Sequence, residues 1–360
     1  MIHEKSIYIK NIYHMLAYAF NVLNEKSYKK IETEEFENIS ELLSEILILG
    51  VSKQIKQGLV KDYIDITEDV SSPKGKINIT ESINTLSFLK GKLNCTYDEF
   101  SLNCYLNQIL KTTMDLLVKS DISKSRKKKL KNLLMYFREV DFLDIKNLNW
   151  KIRFDRNNQT YKMLINICYL VVNGLLHTET KGKTKLMDFF DDRQLSTLYE
   201  KFILNYYKIE YPQIKTHAPQ IDWQIDEGYD VLLPKMKTDV TLEHENKILI
   251  IDAKFYSSNT SQNYGKNIHR TGNLYQIFTY VKNKEVEMQG KDMEVSGMLL
   301  YAMTSDSIQP DSDYVMSGNK ISVKTLDLNQ EFNVIKEQLD LIVNRYLINE
   351  EDSFYINIKM

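Results

Sequence analysis

One short stretch constrains the fold more than any other in the chain. Ile248, Leu249, Ile250 and Ile251 are four consecutive apolar residues ending at Asp252. Extended backbone alternates its side chains between two faces, so this run is apolar on both and must be a strand covered on both sides. A second β-rich run precedes it, and His244-Glu245-Asn246-Lys247 separates the two. An even-length loop centred between Glu245 and Asn246 sets Asp239 opposite Asp252, where Cβ atoms stand about 4.5–5.5 Å apart on one face. Lys254 projects from that same face. An odd-length loop would instead put Asp239 opposite Ile251 or Ala253.

Two carboxylates and an ammonium converging at the open end of a hairpin suit one chemistry in particular. Carboxylates and a backbone carbonyl, here that of Ala253, are hard oxygen ligands for Mg2+, which keeps several waters and takes a further ligand from a phosphate. Such an ion polarises a scissile phosphate and lowers the pKa of a bound water. Lys254 beside it would orient or deprotonate the attacking water. The plain alternative is a surface hairpin with an ordinary salt bridge from Lys254 to Asp252 or Asp239. Acid-x-Lys triplets also occur at Asp144-Ile145-Lys146, Glu179-Thr180-Lys181 and Glu245-Asn246-Lys247, so the triplet alone decides nothing. Gln276 and Tyr280 are four apart on one helical face, able to point at the site or, for Tyr280, to pack in the core. Glu200 could add a carboxylate, but its place on the helix entering this domain favours a solvated surface residue.

Other chemistries are excluded by what the chain lacks. Gly182-Lys183-Thr184 has His177 where a phosphate-binding loop needs its first glycine. The six histidines form no HxH or HxxxH pair, and Cys95, Cys104 and Cys168 form no CxxC, so neither a zinc site nor a disulfide framework is expected. The cysteine usage and the absence of an apolar leader point to a reducing, cytoplasmic compartment. Residues 163–176 are too short and too interrupted by Asn166 and Asn173 to cross a membrane. With 47 Lys+Arg against 49 Asp+Glu, the formal charge of −2 argues against a freestanding nucleic-acid binder. The densest basic run, Arg126 to Lys129 with Lys131, reads either as a phosphate-contacting patch or as the solvated face of a helix.

Periodicity predicts helices at about 8–24, 40–51, 99–119, 123–140, 160–176, 193–208, 272–283 and 329–347. Strands are expected as a hairpin about Ser71-Ser72-Pro73-Lys74-Gly75 and at about 229–233, 237–243, 248–255, 296–303 and 320–325. The result is a mixed α+β and α/β chain: a mainly helical N-terminal domain with a β insertion, 1–180, then an α/β domain, 181–360.

Asp239…Asp252-Ala253-Lys254 resembles the PD-(D/E)xK nuclease motif, with Thr238-Asp239 in place of Pro-Asp, and Gln276-xxx-Tyr280 resembles the element that follows the lysine in RecB-like members. A wider set of segments is similar to the McrC family, the nuclease subunits of McrBC restriction systems. They are IKNIYHMLAYAFNVL at 9–23, PKGKI at 73–77, YKMLINICYLVVN at 161–173, LYEKF at 198–202, LLPKMKTDVTL at 232–242, KILIIDAKFY at 247–256 and NLYQIFTY at 273–280. The resemblance implies a restriction-endonuclease-like C-terminal domain in which Asp239, Asp252 and the Ala253 carbonyl hold Mg2+ and Lys254 is the catalytic lysine. It also implies a hexameric AAA+ partner of the McrB kind that binds GTP and recognises modified cytosine in double-stranded DNA. The N-terminal part would enter the ring and stimulate GTP hydrolysis, and a McrC–McrC dimer would cut both strands. Two rivals are a catalytically silent adaptor that only activates the GTPase, and a stand-alone RecB-like repair nuclease.

Overall fold

The structure, a computed structural model, describes residues 9–20, 31, 36, 39–155, 158, 160–179, 192–228, 232–263 and 266–348. The chain divides into two compact units, residues 26–189 and residues 1–25 with 190–360. The boundary expected near 180 falls in 180–191, outside the described residues. The first element, α1 (Ile9–Ala19), belongs to the second of these units.

In the unit spanning 26–189, α2 (Ile39–Gln57) is buried nearly all round over its first ten residues, including Glu41 and Glu45. A strand, β1 (Asp62–Val70), follows, then β2 (Lys76–Ile77), a short helix α3 (Ile79–Asn84) and β3 (Leu93–Ser101). The hairpin expected about Pro73 does not form. β1 and β2 both pair antiparallel with β3, in the order β1-β3-β2. Gly75 permits this arrangement: a Cβ there would stand 2.4 Å from the Thr96 carbonyl oxygen. The helix expected over 99–119 accordingly begins later, as α4 (Tyr105–Lys119), because residues 99–101 complete β3. Then come α5 (Lys124–Leu134) and α6 (Tyr161–Glu179). α2, α4, α5 and α6 pack through Leu43, Ile46, Leu110, Met114, Leu130, Ile167 and Val171, all buried. The Tyr161 hydroxyl ties helices to sheet, accepting from Val60 N–H at 3.0 Å and donating to Asn107 Oδ1 at 3.1 Å.

In the other unit, α7 (Asp192–Glu210) leads to β4 (Lys215–His217), β5 (Gln220–Ile221) and β6 (Met236–Lys237). The strand expected at 229–233 is not seen: Leu232 and Leu233 lie in a turn, and 229–231 are outside the described residues. β7 (Val240–His244) and β8 (Lys247–Lys254) form the hairpin, followed by a small ribbon of β9 (Thr260–Asn263) and β10 (Lys266–His269). α8 (Thr271–Glu287), β11 (Glu294–Ala302), β12 (Ser312–Met316), β13 (Asn319–Leu326) and α9 (Phe332–Tyr346) complete it. Six strands make one mixed sheet in the order β12-β13-β11-β8-β7-β4, with β8, β11 and β13 parallel. β8 is buried on both faces from Ile248 to Ala253, as its composition demands.

α8 covers one face, setting Ile277 and Val281 against Ile248, Ile250, Leu299, Ile321 and Val323. Gly297 lets it approach, since a Cβ there would be 2.6 Å from Val281 Cγ2. α9 lies against Met298 and Leu300, which point the other way, and joins α7 through hydrogen bonds from Tyr206 and Tyr207. α1 packs along α7 and is tied to the segment before α9 by Asn11, which donates to the Leu328 and Gln330 carbonyls at 2.8 Å each. Among the described residues no helix is long and apolar enough to cross a membrane, and the three cysteines are free and buried.

Candidate active site

The β7–β8 loop is even in length, as the register requires: two residues, Glu245 and Asn246. His244 pairs with Lys247 and Val240 with Ile251, where the ladder ends, one residue short of Asp239 and Asp252, in the register that continues to that pair. Glu245 takes φ of +51°, the left-handed backbone that primed hairpin turns need at their first central position. Asp252 and Lys254 lie on the same face as Ile248 and Ile250, the face covered by α8.

The side chains converge. Ala253 N–H donates to Asp239 Oδ2 at 2.9 Å, which draws that carboxylate onto the end of β8. Lys254 Nζ stands 2.7 Å from Asp252 Oδ2, an ion pair between side chains 14% and 1% exposed. Lys254 Nζ also donates to Gln276 Oε1 at 3.1 Å. Gln276 Nε2 in turn donates to the Tyr280 hydroxyl at 2.9 Å, and that hydroxyl donates to the Lys237 carbonyl at 3.2 Å. Gln276 therefore faces the carboxylates, while Tyr280 both joins this chain and packs in the core, so its two readings hold together. Glu200 is half-buried, accepts from Ser196 Oγ at 3.2 Å and lies close enough to raise the pKa of Asp239.

Electrostatics follow from that crowding. Burial, then the Asp252 and Glu200 carboxylates, push Asp239 up to about 8. Asp252 is raised as well, by burial, against the pull of Lys254. Glu200 is raised by burial. Burial alone would lower Lys254, but Asp252 outweighs it and the ammonium is held charged. The pocket thus has more carboxylate than its one cation neutralises, which is how a site looks when a hard cation completes it. Among the described residues no three His, Cys, Asp or Glu side chains form a ready cation site, so an ion here would rest on two carboxylates, a backbone carbonyl and water.

Sequence reasoning missed a second set of residues. Tyr301 of β11 pairs across from Lys254, its hydroxyl accepts from Asn273 Nδ2 at 2.9 Å, and Tyr256 donates to Asn273 Oδ1 at 3.3 Å. Asn273 precedes Gln276 by three residues on α8, and that spacing was the available signal.

Residues 3–302 match the model of the McrBC 5-methylcytosine restriction system component family. The chain belongs to that family. It is similar to the type IV methyl-directed restriction enzyme EcoKMcrBC of Escherichia coli (strain K12), 28% identical over 345 residues that cover 94% of this chain and 98% of the relative. A solved half-complex from a tetradecameric assembly of Thermococcus gammatolerans McrB AAA+ hexamers with bound McrC is similar in fold. Its TM-score is 0.51 at 15% identity, covering 93% of this chain and 75% of the other. As a McrBC family member the chain is a component of a restriction system, and Asp239, Asp252 and Lys254 lie within the matched span.

Proposed function

We propose that this chain is the Mg2+-dependent endonuclease subunit of a GTP-dependent restriction system for modified-cytosine DNA, with a PD-(D/E)xK site. The observation that carries the reading is the meeting of Asp239, Asp252 and Lys254 at the end of a strand buried on both faces, in a chain of this family.

Asp239, Asp252 and the Ala253 carbonyl would hold Mg2+, and two buried carboxyls whose pKa values are both raised by burial and crowding are groups that a bound cation would hold ionised. Bound there, the ion supplies Lewis-acid polarisation of the phosphodiester and a more acidic water. The chain's own groups do the rest. Lys254, 2.7 Å from Asp252, would stand as a positioned cation facing the charge that grows on the phosphate. Gln276 fixes the direction of its Nζ, and Tyr280 fixes Gln276 through the Lys237 carbonyl. Glu200 adds a third carboxylate at the margin, able to orient water.

GTP would be bound by a McrB-like AAA+ hexamer and not by this chain, in keeping with the assembly named for its structural neighbour. The unit spanning 26–189 would engage that ring and stimulate its GTPase. Exposed Ile79, Ile83, Leu86, Phe88 and Leu89, which follow one another along α3 and the next turn, form an apolar patch of the kind protein partners cover. Two copies of the chain would cut the two strands.

The test is plasmid cleavage by the chain with its GTPase partner, Mg2+ and GTP, on methylated and unmethylated DNA, with Asp252→Ala alongside. Cutting restricted to methylated DNA, dependent on GTP and Mg2+ and reduced at least a thousandfold by the substitution, is the expected result. Equal cutting by Asp252→Ala would remove the site. GTP turnover raised with no cutting by either protein would make the chain an adaptor.

A further inference from the structure

Between Lys124 and Lys131 six of eight residues are basic and none is acidic. The structure sorts these cations into two groups. Arg126 and Lys129 turn inward to Glu41 and Glu45 of α2, with Arg126 Nε 3.1 Å from Glu45 Oε2 and Lys129 Nζ 3.1 Å from Glu45 Oε1. Lys124, Lys127, Lys128 and Lys131 stand at i, i+3, i+4 and i+7, one face of α5. Lys124, Lys128 and Lys131 are exposed and Lys127 partly so. Among the described residues none of the four has an acidic partner at ion-pair distance.

An ordinary solvated helix face mixes its signs. This one holds four like-charge pairs at neighbour spacing, each destabilising, and two of its cations lie in the first turn, at the positive end of the helix dipole. The helix is nonetheless fixed in place by the two ion pairs to Glu45, by the Ser123 cap and by fully buried Leu130. A rigid, unneutralised row of ammoniums calls for a polyanion. From Lys124 to Lys131 the row spans about 10 Å, roughly three phosphate steps along one DNA strand. No apolar side chain interrupts the four, as a protein-docking face would require at its centre. Arg126, whose planar fork could read a guanine with two fixed donors, is turned away, and the ammoniums left in the row are point charges of the kind that pair with phosphates.

We propose that the Lys124–Lys127–Lys128–Lys131 face of α5 binds the phosphate backbone of duplex DNA without regard to sequence or methylation. DNA as the polyanion rests on the nuclease reading above.

The experiment is fluorescence anisotropy of a labelled 30-base-pair duplex with the full chain in EDTA, which separates binding from cutting, across a KCl series. Replacing all four lysines by Gln should weaken binding at least tenfold and flatten the slope of log Kd against log salt by about three. Replacing all four by Arg should keep both within threefold. Methylated and unmethylated duplexes should bind alike. In the unaltered chain the duplex should slow acylation of these four amines by an amine-reactive reagent, read by mass spectrometry, a result independent of any variant's folding. Unchanged affinity and slope in the Gln variant, no duplex binding by the unaltered chain at 50 mM KCl, or unprotected amines would overturn the proposal. So would loss of GTPase-ring association with duplex binding intact, which would make the face a dock for an acidic protein. Failure of plasmid cleavage with this binding preserved would count against the nuclease reading alone.

Discussion

Lys254 answers to two partners of different kinds. Asp252 keeps it charged, and Gln276 aims it. Gln276→Leu removes the aim and leaves the charge, so under the nuclease function proposed above cleavage by the assembled system should fall about ten- to a hundredfold, the usual cost of losing a neighbour that orients a reacting group. Gln276→Glu, which keeps an acceptor, should recover part of it. Cleavage rates of the two variants side by side, with thermal midpoints to show intact folding, check this. A Leu variant as fast as the original would deny Gln276 a positioning role. The alignment of Asp239 with Asp252 was legible in sequence because it needed only local geometry: an even-length loop and the alternation of a strand. Glu200 was not decidable there, since nothing local says that a helix forty residues upstream faces the hairpin. Tyr301 was out of reach for the same reason. Its place opposite Lys254 follows from a parallel pairing across an intervening helix, a register that neither strand carries in its own residues.

At the scale of elements, the long helices and the strands at 294–302 and 319–326 agree with the sequence reading, and the hairpin expected about Pro73 does not. α7, α8 and α9 fall within a few residues of their apolar periodicity. β1 was expected to turn back on β2, yet it pairs over nine residues with β3, which begins 23 residues after β1 ends. The expected turn did have its glycine, but Gly75 serves a close backbone approach. β12 escaped notice because it is short and half-exposed at the sheet edge, although Ser317 and Gly318, both at positive φ, mark its turn into β13. Gly297 shows how one residue sets the spacing between elements. Gly297→Ala puts a methyl into the Ile277–Val281 contact and should cost about 1–3 kcal/mol as α8 is pushed off β11. A lowered thermal midpoint, with β-sheet circular dichroism retained, is the expected signature. An unchanged midpoint would mean that the helix yields without loss.

For the molecule as a whole, the arrangement that matters is that the first helix belongs with the last. α1 meets α7 through Tyr18, whose hydroxyl donates to Glu210 at 2.5 Å, and His14 stacks on Phe332 of α9 with ring centroids 4.0 Å apart. Burial, then Lys10, push His14 down to about 4. The unfolded chain, with an ordinary imidazole near 6.5, therefore binds more protons between those values, so stability from this group is complete above about pH 6.5 and lost as pH falls toward 4. The loss should amount to at most about 3 kcal/mol. His14→Phe should flatten the fall of the thermal midpoint between pH 7 and pH 4.5, and parallel curves for the two proteins would refute it. The same joint has a consequence for synthesis. A ribosome delivers α1 before residues 26–189 and its partners α7 and α9 only after them, so the unit that carries Asp239, Asp252 and Lys254 waits, open at one seam, until α9 has emerged. A chain that stalls before α7 presents the 26–189 unit without a closed second unit, so under the nuclease function proposed above no such fragment would carry an assembled cutting site.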